Sequence, residues 1–300
     1  MTESLLATFQ QWLLFSGAVL AVGCVAWRLI VVPRASDLVS APRFPAIERA
    51  VATLGVLAGT VALVAWVLRM VVQVRGFRDP FVPLWEDVSF LLFETTWGSV
   101  WMAQGVVLPL LIGAFAWARA GSRAAWRAAM AFALGLVATL SLSSHAMGAE
   151  SARAFYLTAD AIHALAAGCW IGSLAVIVTA GRPSDSSDES LAFFAAQLRA
   201  FSPVAIVSVS ALIAMGAVLA WTYIVALPNL WLTGYGRVLM AKVSLAVLVF
   251  LAGLINWRRG LAVLDTTDGS TTVRRRAALE VGAAVGVLLL TAVLVHSVKP

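Results

Sequence analysis

QQWLLFSGAVLAVGCVAWRLIVV, residues 10–32, contains one charged side chain, Arg28, in twenty-three residues. As an α-helix it would be roughly 35 Å long at ~1.5 Å per residue, enough to cross a hydrocarbon core of ~30 Å. It is too long for the apolar core of a signal peptide and no basic stretch precedes it, so it reads as a retained membrane helix. Seven further stretches repeat the pattern: 48–74, 97–118, 124–146, 155–180, 201–226, 236–257 and 278–298. The expected fold is therefore all-α, a polytopic membrane protein of about eight transmembrane helices forming one transmembrane domain over 1–300.

Composition agrees. Charged residues make up 12% of the 300 residues and hydrophobic ones 61%, with mean hydropathy +0.93. Soluble domains carry about 25% charged residues, so lipid must be the solvent for much of this surface. The net charge of +6 does not point to nucleic acid, because the basic residues are scattered between apolar runs. Cys24 and Cys169 both lie inside such runs, which argues against a disulfide framework or a CxxC site.

The links set the orientation. Those after the first, third, fifth and seventh segments hold fourteen arginines, Arg274, Arg275 and Arg276 among them, against six basic residues on the other side. The positive-inside bias predicts a cytoplasmic location for the arginine-rich side and periplasmic termini. The links 181–200 and 258–277 read as solvated connectors. In 75–96 a Pro-rich start and an amphipathic second half predict a short helix on the membrane surface.

An internal repeat is visible. TTWGSVWMAQ (95–104) matches TGYGRVLMAK (233–242), and the interval from Gly135 to His145 equals that from Gly286 to His296. Repeats of 1–150 and 151–300, offset by four helices, would be related by an axis along the membrane normal.

Three histidines carry the candidate chemistry, all on the side of the termini. His145 stands in SSHAMG, two residues before Met147; His163 lies in DAIHALAAGCWIGSL; His296 ends the last segment. Ionisable groups inside membrane helices face the bundle interior, and imidazole and thioether suit copper. The candidate metal residues are therefore His145, Met147, His163 and His296. At ~1.5 Å per residue His163 lies roughly 13 Å deeper than His145, which predicts two stations rather than one site. Asp160, three residues before His163, is placed to accept an imidazole N–H. Met70, Met102, Met215 and Met240 read first as helix packing, as does Cys169, which lies off the His163 face. Lys242 is assigned a structural or gating role, able to snorkel toward the headgroups. Glu280 is expected to pair with Arg274–Arg276, and sparse buried carboxylates argue against an extensive proton relay. No HExxH, Ser-His-Asp set or phosphate loop occurs, so no enzyme chemistry is expected.

These residues resemble the CopD family of copper-resistance membrane proteins, related to the membrane portion of YcnJ-type copper importers. The likeness is carried by ETTWGSVWM, SSHAMG, DAIHALAAGCWIGSL, RAFSPVA, LTGYGRVLMAK and RRRAALEVG. It implies an inner-membrane protein moving copper inward beside a periplasmic CopC-type copper carrier, with His145 and His163 copper-associated. The sequence departs at Ile171-Gly172-Ser173, where the family has x-Gly-Gly after the Trp. It also lacks a fused CopC-like domain, so the carrier would be a separate chain. Two alternatives stay open: a b-type haem electron-transfer protein with His163 and another histidine as axial ligands, or a factor delivering copper to a respiratory oxidase.

Overall fold

The computed structural model describes residues 2–35, 37–143, 152–183, 187–224, 226–260 and 266–297. Among them there is no strand. The helices are α1 (Thr2–Ala26), α2 (Asp37–Ser40), α3 (Phe44–Phe77), α4 (Leu84–Phe93), α5 (Thr96–Ala118), α6 (Arg123–Leu142), α7 (Arg153–Ala167), α8 (Ser173–Thr179), α9 (Asp188–Ile224), α10 (Asn229–Leu232), α11 (Gly234–Gly260) and α12 (Thr267–Val295). π-helical turns extend α1 through Trp27–Val31 and join α7 to α8 through Gly168–Gly172. Eight spans result that are long and apolar enough to cross a membrane, and the chain is a multi-pass membrane protein.

Local chemistry sets several helix starts. Thr95, Ser122 and Thr266 accept hydrogen bonds from Gly98 N (3.0 Å), Ala125 N (3.3 Å) and Gly269 N (3.1 Å), satisfying amides that the first turn leaves open. The expected surface helix is α4. Its Trp85 and Phe93 are exposed while Asp87 and Leu91 are buried, and Arg78 pairs with Asp87 at 2.6 Å.

The α1 span, Ser4–Arg34, is buried over two thirds of its most apolar window and packs against α3, α6, α12 and the π turn after α7. Backbones touch at that crossing. A Cβ on Gly23 would lie 2.1 Å from Gly172 C, and one on Gly172 would lie 2.2 Å from Val19 O. Without a hydrophobic drive between helices in lipid, this close approach of small residues supplies the packing. Sequence reading began this span at Gln10. The helix in fact starts at Thr2, which puts Gln10 and Gln11 inside it, both buried.

At 34 and 37 residues, α3 and α9 are roughly 51 and 56 Å long, well beyond a ~30 Å core. This corrects the 181–200 connector, which is helical from Asp188. The projecting turns of α9 pack onto the arginine-rich end: Arg43 donates to Ser190 Oγ and lies over the Phe193 ring. The Trp27 indole donates to Gln197 Oε1 (2.9 Å), and Gln197 Nε2 donates to Gly181 O (2.9 Å). Nearby, Glu48 takes Arg28 at 2.5 Å and the Trp126 indole at 3.0 Å. These contacts with residues outside α9 hold the extension in place.

Candidate metal site

Ten residues into α7, His163 lies half-buried against α9. Gly216 makes room for it: a Cβ there would be 3.2 Å from His163 Cε1 and 3.5 Å from Nδ1. The backbone of Leu212, one turn earlier on α9, takes a hydrogen bond from the ring. Nδ1 itself is buried and makes no hydrogen bond. A ring nitrogen left without a partner inside a membrane bundle costs free energy, and a ligand that accepts its lone pair recovers it.

Lys242 of α11 carries the charge that acts on the ring, and Asp160 acts in turn on Lys242. Gly216 is eight residues before the end of α9, and Lys242 is eight residues after the start of α11. His163, Gly216 and Lys242 therefore share one level, roughly 12–15 Å from the helix ends on the side of the chain termini.

A second polar group stands at the same level on the other half of the chain. Arg69, eight residues before the end of α3, donates to Gln104 Oε1 at 3.1 Å, and Gln104 is eight residues after the start of α5. Arg69 also donates to Ser143 Oγ at 3.3 Å and lies over the Trp97 ring. Beside it Trp66 and Trp101 stack at 4.1 Å, and each indole donates to the other's backbone carbonyl at 2.8 and 3.1 Å. Ser143 leads directly into SSHAMG. His145 and Met147 lie outside the described residues.

His296 is the C-cap of α12 and exposed, so it stands at the rim and away from the His163 level. Met102 and Met240 are both 37% exposed and face outward, as packing or lipid-facing residues do. Met70, Met215 and Cys169 are half-buried and Cys24 is fully buried. Among the described residues no group of three or more His, Cys, Asp or Glu side chains comes together to hold a metal.

Sequence reading missed Gly216 and the Arg69–Gln104 pair. A glycine in an apolar run has no visible partner, and Arg69 was taken as a link residue. One signal was available: Gln104 and Lys242 are the last residues of the two matching decapeptides.

Residues 195–294 match the family model described as Copper resistance protein D, and residues 1–155 match Copper resistance protein D-like, N-terminal domain. The chain belongs to the CopD family. It is a copper-handling membrane protein. It is also similar to the Copper transport protein CutJ of Bacillus subtilis (strain 168), 26% identical over 257 residues, which cover 82% of this chain and 46% of CutJ. This CopD-family chain thus spans about half the length of that relative. No solved structure matches it.

Proposed function

We propose that this CopD-family chain is a permease that imports copper across the bacterial inner membrane, with His163 as the station inside the membrane. The observation that carries the reading is the buried, unpartnered Nδ1 of His163 held against Gly216. An imidazole nitrogen suits copper, and a single deep ligand suits transit better than storage. CutJ is named a copper transport protein, and the likeness brings transport to this chain as a reading. The arginine-rich links favour a cytoplasmic position for that face, which makes the side of the termini the periplasmic, receiving side.

On this reading His145 and Met147 form the first station, filled by a periplasmic carrier of the CopC type, and His296 stands at the rim. Asp160 and Lys242 tune the deeper station. A fixed ammonium disfavours a resident Cu⁺ and shortens its stay. The path runs between the repeats 1–150 and 151–300. The repeat is supported by one device used twice. Thr95 caps Gly98 N, and a Cβ on Gly98 would meet Leu91 O at 2.2 Å. Thr233 caps Gly236 N at 3.0 Å, and a Cβ on Gly236 would meet Asn229 O at 2.1 Å.

Uptake of radioactive copper by cells expressing the wild type, His145→Ala or His163→Ala tests the proposal. Accumulation in the wild type and its loss in both variants, at equal protein levels, is the expected result. Uptake unchanged by either substitution contradicts it, and a Soret band in the purified protein would favour haem instead.

A further inference from the structure

Thirteen residues into α12, Glu280 is 6% exposed. The expected pairing with Arg274–Arg276 does not form: Arg275 and Arg276 are exposed, whereas Glu280 turns into the bundle. It lies against α11, where a Cβ on Gly253 would be 3.3 Å from its Oε2 and 4.0 Å from Trp170 Cζ2. The Asn256 amide donates to the carboxylate. Two buried oxygens are left over, Glu280 Oε1 and Asn256 Oδ1, each without a hydrogen-bond partner.

An ionised carboxylate buried without a counter-charge is strongly disfavoured. Among the described side chains no cation forms an ion pair with this one. On its own helix the arginines lie a turn or more toward the arginine-rich face, and Arg258 of α11 is exposed. Lys242 is fourteen residues before Asn256 on α11. On α1, Arg28 is taken by Glu48 and Cys24 carries no charge to offer. Cys169 and His163 share the span of Trp170, and Arg199 lies on the projecting part of α9. A proton on the carboxyl removes the uncompensated charge and turns one of its oxygens from an acceptor into a donor.

We propose that Glu280 and Asn256 form a proton-binding site in the arginine-rich half of the bundle, and that this proton is exchanged for a passing copper ion. Trp170, which borders the site, is seven residues beyond His163, so the two levels are roughly 10 Å apart along one span. An ion leaving His163 toward the arginine-rich face meets Glu280 next. There Cu⁺ and the carboxyl give a Cu⁺ carboxylate pair and one H⁺, which leaves to the water on that face; charge at the site is unchanged. Oxygen holds Cu⁺ weakly, so the ion moves on and the carboxylate takes a proton again. The exchange rests on the permease reading, whereas the protonation of Glu280 does not.

Infrared spectroscopy of the purified protein in lipid, at neutral pH, tests the proton. A protonated-carboxyl C=O band is expected in the wild type, lost in Glu280→Gln and kept in Glu86→Gln, whose side chain is exposed. A wild-type spectrum with no such band overturns the site, whatever the variants do. Proteoliposomes holding a pH dye and supplied with Cu⁺ test the exchange. The wild type is expected to give a transient release of one proton per copper ion entering the site, taken back as the ion leaves, and Glu280→Gln to bind copper but release none. Copper movement without proton release overturns the exchange. No copper movement in any sample overturns the permease reading and the exchange with it, while the infrared band still decides the proton.

Discussion

His163 packs against Gly216, so close that a methyl group on the glycine would stand 3.2 Å from the ring. Gly216→Val is therefore expected to push the imidazole off its position and abolish copper binding at this level. Gly216→Ala, a smaller intrusion, should weaken binding severalfold. Alanine favours a helix over glycine by about 1 kcal/mol, so thermal stability should hold or rise while copper content falls. Copper stoichiometry and melting curves on the same samples check this, and parallel loss of both would mean the glycine serves only packing.

Gln104→Leu should destabilise the protein by about 1–3 kcal/mol, because it strips Arg69 of one of its two acceptors inside the membrane. Arg69→Leu alone leaves Gln104 stranded and should also cost stability. The double variant is expected to recover part of either loss, a coupling that thermal unfolding in detergent measures directly.

Lys242→Gln removes a positive charge that acts on the His163 ring. Copper affinity at that level is expected to rise about tenfold, equivalent to 1.4 kcal/mol, and Asp160→Asn, which leaves the ammonium uncompensated, should lower it. Competition with a Cu⁺ chelator reads both. Equal affinities in all three proteins would remove Lys242 and Asp160 from the account.

The crossing of α1 over the π turn permits no side chain. Gly23→Ala places a methyl within 2.1 Å of the Gly172 backbone, so the helices must separate, at a cost of about 1–3 kcal/mol or more. A lower melting temperature together with reduced copper binding is expected, since the same turn carries Trp170 and continues the His163 helix.

The membrane spans were legible because an apolar run of twenty residues has few other physical explanations. The first turns of α9 were not. Residues 188–200 carry Asp, Glu, Gln and Arg, and their helix is stabilised by Arg43, Trp27 and Gly181, partners far away in sequence. Glu280 was misread for a related reason. Its spacing from Arg276 suits an i, i+4 pair, but the stronger demand comes from Asn256 on another helix. His163 was legible as an imidazole in a membrane run, while the space its ring occupies depends on Gly216, which sequence shows only as one glycine among many. His145 and Met147 lie outside the described residues, and their part in the path is carried by the proposal alone.

X-ray absorption at the copper edge of the purified protein, loaded anaerobically with Cu⁺ and compared with His163→Ala, tests the central claim most directly. The account predicts an imidazole signature on bound copper in the wild type that is diminished, with lower copper content, in the variant. Identical spectra and identical copper content in the two proteins would contradict it.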